Sequence, residues 1–156
     1  MGLRILPLAL LPVLAAGCGA PKDPDASTER VMTSHVLRAG AADSPPWIRA
    51  ASGEPQGREA DLVRAFAASL GARVAWTHGG EEAVLQALER RELDVVAAGA
   101  SSKTPWARKL GVSSPYATTP GPHGPEKRVL LVAPGENQLL LRLDRYVKRQ
   151  PSGAAG

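Results

Sequence analysis

The chain has 156 residues, of which 44% are hydrophobic and 22% charged, and its formal net charge is +4. This length and composition predict one ordinary globular domain, and the charge is too small to indicate a nucleic-acid-binding protein without a basic patch. Aromatic residues make up only 4% of the chain. Alanine and leucine must therefore fill most of the core, which favours helices packed on a small sheet.

The first 18 residues are typical of a secretory leader. An apolar run over residues 5–14 follows Arg4 and is too short to span a bilayer. Small residues come next and lead to Cys18, the only cysteine of the chain. This order resembles a bacterial lipobox, which implies removal of residues 1–17, acylation of Cys18 and attachment to a membrane. Gly19 in place of aspartate implies the outer membrane; an ordinary secretory peptide is the alternative.

The rest of the chain divides into three parts. Residues 18–33 are polar, carry Pro21 and Pro24 and show no apolar period, so they predict a flexible tether. Residues 34–150 carry the regular apolar patterns of a folded domain. Residues 151–156 predict a disordered tail.

Strands and helices alternate through the first part of this domain. Apolar positions in residues 59–70 repeat every three to four residues, which is the spacing of an amphipathic helix. In chain order the predicted elements are a strand at 35–41, a helix at 59–70, a strand at 73–78, a helix at 81–91 and a buried strand that begins at Leu93. This order gives two crossover units. We therefore expect a single three-layer α/β lobe with a mostly parallel sheet flanked by helices.

The second part of the domain has fewer regular patterns. The sequence predicts a short strand at 109–112, a linker at 118–127, a buried strand at 128–133 and a helix at 137–149 that Asn137 caps. Four basic residues lie largely on one side of this last helix, Arg142, Arg145, Lys148 and Arg149. A solvated basic face near a helix C-terminus is their expected role.

The stretch from residue 93 to residue 116 contains the strongest functional pattern. Its buried strand ends at Gly99, and open α/β sheets place their ligand crevice at the carboxyl ends of strands. The polar loop that follows offers hydroxyls, an aromatic ring and a guanidinium from Ser101, Ser102, Thr104, Trp106 and Arg108. Such groups suit a small anionic or zwitterionic ligand, because hydroxyls position a carboxylate and arginine binds it bidentately. The alternative is a turn-rich connector in which Trp106 packs on the sheet and Arg108 is solvated.

Acidic and imidazole groups add little to this pattern. Glu59 and Asp61 open the predicted helix at 59–70, and acidic residues in a first turn are expected from the helix dipole. A ligand contact from Glu59 is the alternative. Metal-ligand spacing is lacking among the three histidines, His35, His78 and His123. The sequence therefore predicts no metal and no cofactor.

Four short motifs occur in an order that resembles a known family. They are Asp-Ser-Pro-Pro-Trp at 43–47, Gln-Gly-Arg-Glu-Ala-Asp-Leu at 56–62, Glu-Leu-Asp-Val-Val-Ala-Ala-Gly at 92–99 and Ser-Ser-Pro-Tyr at 113–116. Together they resemble the first lobe of the family 3 extracellular solute-binding proteins, which are receptors of polar amino acid ABC importers. The resemblance implies a periplasmic binding protein type 2 fold, with the closing strand and helix of the lobe at residues 129–147.

The resemblance also implies roles for the candidate residues. Trp47 matches the aromatic residue that stacks on the ligand, and the loop from Gly99 through Thr104 matches the carboxylate-binding turn. The arginine of the family usually follows the threonine by three positions, where this chain has Ala107; Arg108 follows Thr104 by four. Either a gap shifts the register or the carboxylate clamp is absent.

The second lobe of the family is missing from this sequence. Only twelve residues separate Tyr116 from Val129, where the family inserts a whole domain. A single lobe covers less of a ligand than two lobes that close around it. We therefore expect weak binding, with a dissociation constant of about 100 µM or more, unless a dimer or a partner supplies the second wall.

The function predicted from these observations is that of a lipid-anchored periplasmic protein that presents a small polar or amino-acid-like ligand to an ABC-type transporter. The alternative is a scaffold or sensor module of the cell envelope that binds a protein partner. Relatives of the fold include a cyclohexadienyl dehydratase and modules attached to lytic transglycosylases. The crevice loops contain no nucleophile with a paired base, so the sequence predicts that the chain is not an enzyme.

Overall fold

The computed structural model describes residues 23–150. The predicted signal peptide at 1–17, the lipidation site Cys18 and the tail at 151–156 lie outside these residues and stay predictions. The described elements, in chain order, are α1 Ser27–Ser34, β1 Val36–Ala41, α2 Arg58–Ser69, β2 Arg73–His78, α3 Glu81–Glu89, β3 Val95–Ala97, a 3-10 helix at Pro105–Arg108, β4 Gly111–Val112, β5 Ala117–Thr119, β6 Glu126–Arg128, β7 Leu131–Val132 and α4 Asn137–Arg149.

Five of the strands form a central sheet in the order β2-β1-β3-β7-β4. Strand β1 pairs in parallel with β2 and with β3, as the two crossover units predict. Strand β7 is antiparallel to both of its neighbours, β3 and β4. The sheet is therefore mixed, because the chain re-enters it from a hairpin and not through a crossover helix.

Helices cover both faces of this sheet. Phe66 of α2 and Leu143 of α4 are buried in one core cluster, and Leu85 of α3 is buried in the other. Successive residues of β3 alternate between these clusters, with Val95 in the first and Val96 in the second, as the pleat of a strand requires. The predicted three-layer α/β lobe is confirmed. Within residues 23–150 no helix is long and apolar enough to cross a bilayer.

The segment expected to be a tether is helical in its second half. Helix α1 buries Val31 completely. The buried carboxylate of Glu136 accepts hydrogen bonds from the backbone N–H groups of Asp25, at 2.9 Å, and Ser27, at 3.1 Å. An isolated helix of eight residues is only marginally stable in water. Contacts with a residue more than a hundred positions away therefore stabilise α1. The local composition of residues 18–33 could not reveal this helix. Glu136, and not Asn137, precedes the first residue of α4.

The segment expected to be a linker is a hairpin. Strands β5 and β6 pair with Ala117 opposite Arg128 and Thr119 opposite Glu126. Gly121 and Gly124 close the tip with reciprocal backbone hydrogen bonds of 3.1 and 3.2 Å. Pro120, Pro122 and Pro125 lie in the turn between the strands, where no ladder hydrogen bond is needed. The buried strand predicted at 128–133 is therefore divided between this hairpin and β7.

Candidate ligand-binding site

The loops that follow β1 and β3 meet at one edge of the sheet. Their strands are parallel neighbours, with Ala41 beside Ala97. Gly99 has a φ of +63°, and a Cβ at this position would lie 2.3 Å from Ser44 Oγ and 3.2 Å from Trp47 Cδ1. Only glycine fits both the backbone conformation and the space. The two loops therefore form one continuous wall at the carboxyl edge, where the sequence predicts the crevice.

Glu59 joins this wall from the first turn of α2. It is fully buried; its Oε2 accepts a 2.8 Å hydrogen bond from Gly99 N, and its Oε1 accepts a 2.6 Å hydrogen bond from the Tyr116 hydroxyl. Burial raises the pKa of Glu59 to about 7, although the two hydrogen bonds and the charge of Arg128 lower it. The helix dipole alone does not explain such an environment. Glu59 instead positions the start of the loop after β3.

Arg128, which the sequence analysis did not select, holds the other side of Gly99. Its Nη1 donates a 2.9 Å hydrogen bond to the Gly99 carbonyl, and its Nη2 donates a 2.6 Å hydrogen bond to Glu126. The centre of the guanidinium lies 5.3 Å from the ring of Trp47. Gly99 is thus fixed at both its N–H and its carbonyl. Arg128 reaches Gly99 only because β5 and β6 pair in the hairpin. Its position in the sequence, at the start of an apolar run, therefore did not indicate a role in the site.

Trp47 lies inside the wall of the crevice. Its side chain is buried, and its ring packs edge-on against Tyr116 with 6.0 Å between the ring centres. The hydroxyl of Tyr116 is occupied by Glu59, and burial and the Glu59 charge raise the pKa of Tyr116 above its usual value. The structure therefore places Trp47 in the packing of the site. The ligand-stacking role implied for it stays a prediction.

The polar loop at 101–104 pairs with the hairpin. Ser102 N donates a 2.8 Å hydrogen bond to Lys127 O, and Ser101 forms a β-bridge with Arg128. Thr104 N donates back to Ser101 O at 3.0 Å. These contacts occupy several of the backbone donors expected to bind a carboxylate. Ser101 Oγ accepts a 3.3 Å hydrogen bond from Lys103 N, and Thr104 Oγ1 accepts a 3.4 Å hydrogen bond from Trp106 N. The O–H donors of these two residues and the hydroxyl of Ser102 are the groups that remain for a ligand.

Trp106 and Arg108 lie on the 3-10 helix Pro105–Arg108, which follows this loop. Trp106 is half-buried against the α3 side of the core, with the Lys109 ammonium 5.6 Å from its ring centre. Arg108 is exposed at the end of the helix. It makes no hydrogen bond or ion pair within the part of the chain that the structure describes. The carboxylate contact predicted for Arg108 stays a prediction.

A cavity of about 430 Å³ opens beside the loop that follows β1. Its lining carries both signs of charge, from Asp43, Arg49 and Glu54. Glu54 pairs with Arg64, 3.3 Å away, and none of the ligand residues predicted from the sequence lines this cavity. Across residues 23–150, no group of three or more histidine, cysteine or acidic side chains is arranged to hold a metal ion.

Solved structures with a similar fold identify the class of this lobe. Domain 1 of TmArgBP, the ArgBP of T. maritima, in its arginine-bound form is 20% identical, with a TM-score of 0.70 over 78% of this chain and 98% of that one. The ancestral cationic amino acid solute binding protein AncCDT-1 is 16% identical, with a TM-score of 0.69 over 79% of this chain and 93% of that one. The fold is therefore one lobe of the periplasmic binding protein type 2 class.

The family follows from the sequence. The profile of the bacterial extracellular solute-binding proteins, family 3, matches residues 37–151. The chain belongs to this family, and the family predicted from the four motifs is confirmed.

The relatives that this chain matches in sequence include an enzyme. Membrane-bound lytic murein transglycosylase F of Vibrio cholerae is 31% identical over 100 residues, which are 64% of this chain and 19% of that protein. This finding contradicts the prediction that the chain is not an enzyme. That prediction rested on missing catalytic groups in the crevice loops, and such an absence in one segment does not define the class of the whole protein. The match spans about a fifth of the length of these relatives.

Proposed function

We propose that this lobe binds a small polar ligand of amino-acid type, with a carboxylate, in the crevice between residues 42–47 and 99–108. The observation that carries this proposal is the fixation of Gly99 from both sides, by Glu59 and by Arg128. A loop held in this way is preorganised, so little conformational entropy is lost on binding. The unpaired guanidinium of Arg108 and the loop hydroxyls then supply the polar contacts.

The proposal that a single lobe binds the ligand is supported by a solved structure of similar fold. TmArgBP domain 1 was solved in an arginine-bound form, and this chain covers 98% of it. The open crevice leaves one side of the ligand in water, so we expect a dissociation constant of about 100 µM or more. We further propose that acylated Cys18 attaches the lobe to the periplasmic side of a membrane and that the lobe presents its ligand to an ABC-type transporter.

The test uses residues 18–156 with Cys18→Ser, so that acylation is impossible. Thermal shift and calorimetry with L-arginine, L-glutamate, succinate and putrescine measure binding. A ligand at 100 times its dissociation constant stabilises the fold by about 2.7 kcal/mol, which is a shift of several degrees. Arg108→Ala should abolish the response to carboxylates. The control Arg73→Ala removes the same charge at the amino end of β2, away from the carboxyl edge of the sheet, and should leave the response unchanged. No shift with any of the four compounds at about 10 mM, roughly 100 times the expected dissociation constant, would contradict solute capture.

A second candidate is a sensor of the cell envelope, and the likeness to lytic murein transglycosylase F favours it. In this case the ligand in the crevice would be a peptide fragment of murein, and the open side of the lobe would let a longer chain leave the site. Soluble murein fragments added to the same thermal-shift screen separate the two functions. Stabilisation by fragments and not by free amino acids would support the sensor.

A further inference from the structure

Helix α4 presents a continuous basic surface to solvent. Its opposite side packs in the core through Leu139, Leu143 and Val147. Five exposed side chains share the outer side, Leu141, Arg142, Arg145, Lys148 and Arg149. At 3.6 residues per turn they fall within an arc of roughly 120°. We call these five residues the α4 face.

The α4 face has no neutralising carboxylates. The only acidic residue of the helix is Asp144, which is half-buried and accepts a 2.6 Å hydrogen bond from Ser114 N. None of the four cations of the face makes an ion pair within residues 23–150. Some exposed cations elsewhere in the described chain have such a partner, as in Arg90 with Glu92, and others, such as Arg108, have none, so what distinguishes the α4 face is that its four cations lie together. The α4 face therefore offers four uncompensated charges on one helix.

An exposed apolar group stands among these charges. Leu141 is 41% exposed, and it lies within the basic arc. Cations surrounding an apolar side chain are typical of a helix that lies on a membrane surface, because the cations reach lipid phosphates and the apolar group reaches the acyl boundary. Leu141 is the first residue of the face along the helix, and Arg145 lies one turn after it on the same side.

The chain enters the lobe beside this helix. Glu136, directly before α4, holds the backbone of Asp25 and Ser27. The predicted acylation site Cys18 is only five residues before Asp23, a reach of at most about 18 Å. An anchor at Cys18 would therefore keep the beginning of α4 near the bilayer. Helix α4 covers a face of the sheet and the crevice lies at an edge, so docking through α4 would leave the crevice open.

We propose that the α4 face docks on a bilayer of anionic phospholipids and so orients the lobe on the membrane. This inference goes beyond ligand binding and does not depend on it. The cations neutralise lipid phosphates, and the attraction falls with salt as their charges are screened. A second copy of the chain is a poor occupant, because two such faces repel each other.

The test is co-sedimentation of the unlipidated chain, residues 18–156 with Cys18→Ser, with vesicles of phosphatidylglycerol and phosphatidylcholine. We expect binding to anionic vesicles and none to pure phosphatidylcholine. The triple variant Arg142→Gln, Arg145→Gln, Arg149→Gln should bind anionic vesicles at least about tenfold more weakly. The control triple Arg73→Gln, Arg90→Gln, Lys109→Gln loses the same charge elsewhere and should bind nearly as well as the parent.

Two further readouts keep the outcome decisive. Melting temperatures show that both triple variants fold, which is expected because all six positions are exposed. Leu141→Ser should weaken binding without changing its salt dependence. Equal loss in the two triple variants would overturn the proposal, because net charge alone would then explain binding. Retention of the parent on heparin without vesicle binding would overturn it in favour of a soluble polyanion.

Discussion

The buried carboxylate of Glu59 accepts a 2.6 Å hydrogen bond from the hydroxyl of Tyr116, which lies 57 residues further along the chain. Its second oxygen accepts the N–H of Gly99. One side chain thereby connects the start of α2, the loop after β3 and the entrance to the hairpin. These are the three segments that surround the candidate crevice, so the protonation and the partners of Glu59 should govern the stability of the site.

We expect the free energy of unfolding to fall as the pH rises from about 4.5, the usual pKa of a glutamate, to about 7, the pKa of Glu59 in the folded state. In this window the folded state retains a proton that the unfolded state has lost, whereas below it both states are protonated. The shift corresponds to roughly 3 kcal/mol. Urea unfolding at pH 5 and pH 8 measures the loss. Glu59→Gln should remove this part of the pH dependence, and an unchanged profile in the variant would assign it to other groups.

Tyr116→Phe should destabilise the fold more at pH 8 than at pH 5. The variant leaves Glu59 Oε1 without its donor, and a buried ionised carboxylate loses more from this than a neutral one. We expect about 1–3 kcal/mol at pH 8, measured by urea unfolding. Tyr146→Phe is the matched control, because Tyr146 packs on Phe66 through its ring, 5.8 Å between centres. Equal effects of the two variants at both pH values would contradict the role given to the Tyr116 hydroxyl.

Gly99→Ala should destabilise the lobe by several kcal/mol. The left-handed backbone alone costs about 1–2 kcal/mol for alanine, and the contact of 2.3 Å with Ser44 Oγ adds overpacking. Gly71→Ala separates these two effects, since Gly71 has a φ of +70° with no atom within 4 Å of the added Cβ. Thermal melting of both variants gives the comparison. Similar losses would show that the loop after β1 moves away from Gly99 at little cost.

Glu136→Ala should release α1 from the lobe. The backbone N–H groups of Asp25 and Ser27 lose their acceptor, at a cost of about 1–2 kcal/mol for a helix cap. Amide hydrogen exchange within Ser27–Ser34 should become faster, while exchange in β1 and β3 stays slow. Glu29→Ala, an exposed change in α1 itself, is the control and should leave exchange unaltered. Protection of α1 in the Glu136 variant would mean that burial of Val31 alone holds this helix.

The sequence alone was sufficient to predict those helices and strands whose apolar residues repeat at a regular spacing. The spacing of Leu62, Val63, Phe66 and Leu70 predicted α2, and the predicted strand at 73–78 coincides with β2. Alternating strands and helices also predicted the layers, because a crossover chain has few other ways to bury two apolar faces. The four motifs predicted the family, since each adjoins or contains a strand or helix of the lobe.

Pairing between distant segments decided the rest. Periodicity describes neighbours within one element, so it could not show that Arg128 binds the Gly99 carbonyl or that Glu136 caps α1. The prediction of a linker at 118–127 missed the hairpin, because its hydrogen bonds join residues on the two sides of the turn and the local sequence does not show such pairing. Glu59 resembled any acidic residue of a first turn. Only packing removes it from water and brings Gly99 and Tyr116 within hydrogen-bond distance, and this desolvation is what raises its pKa.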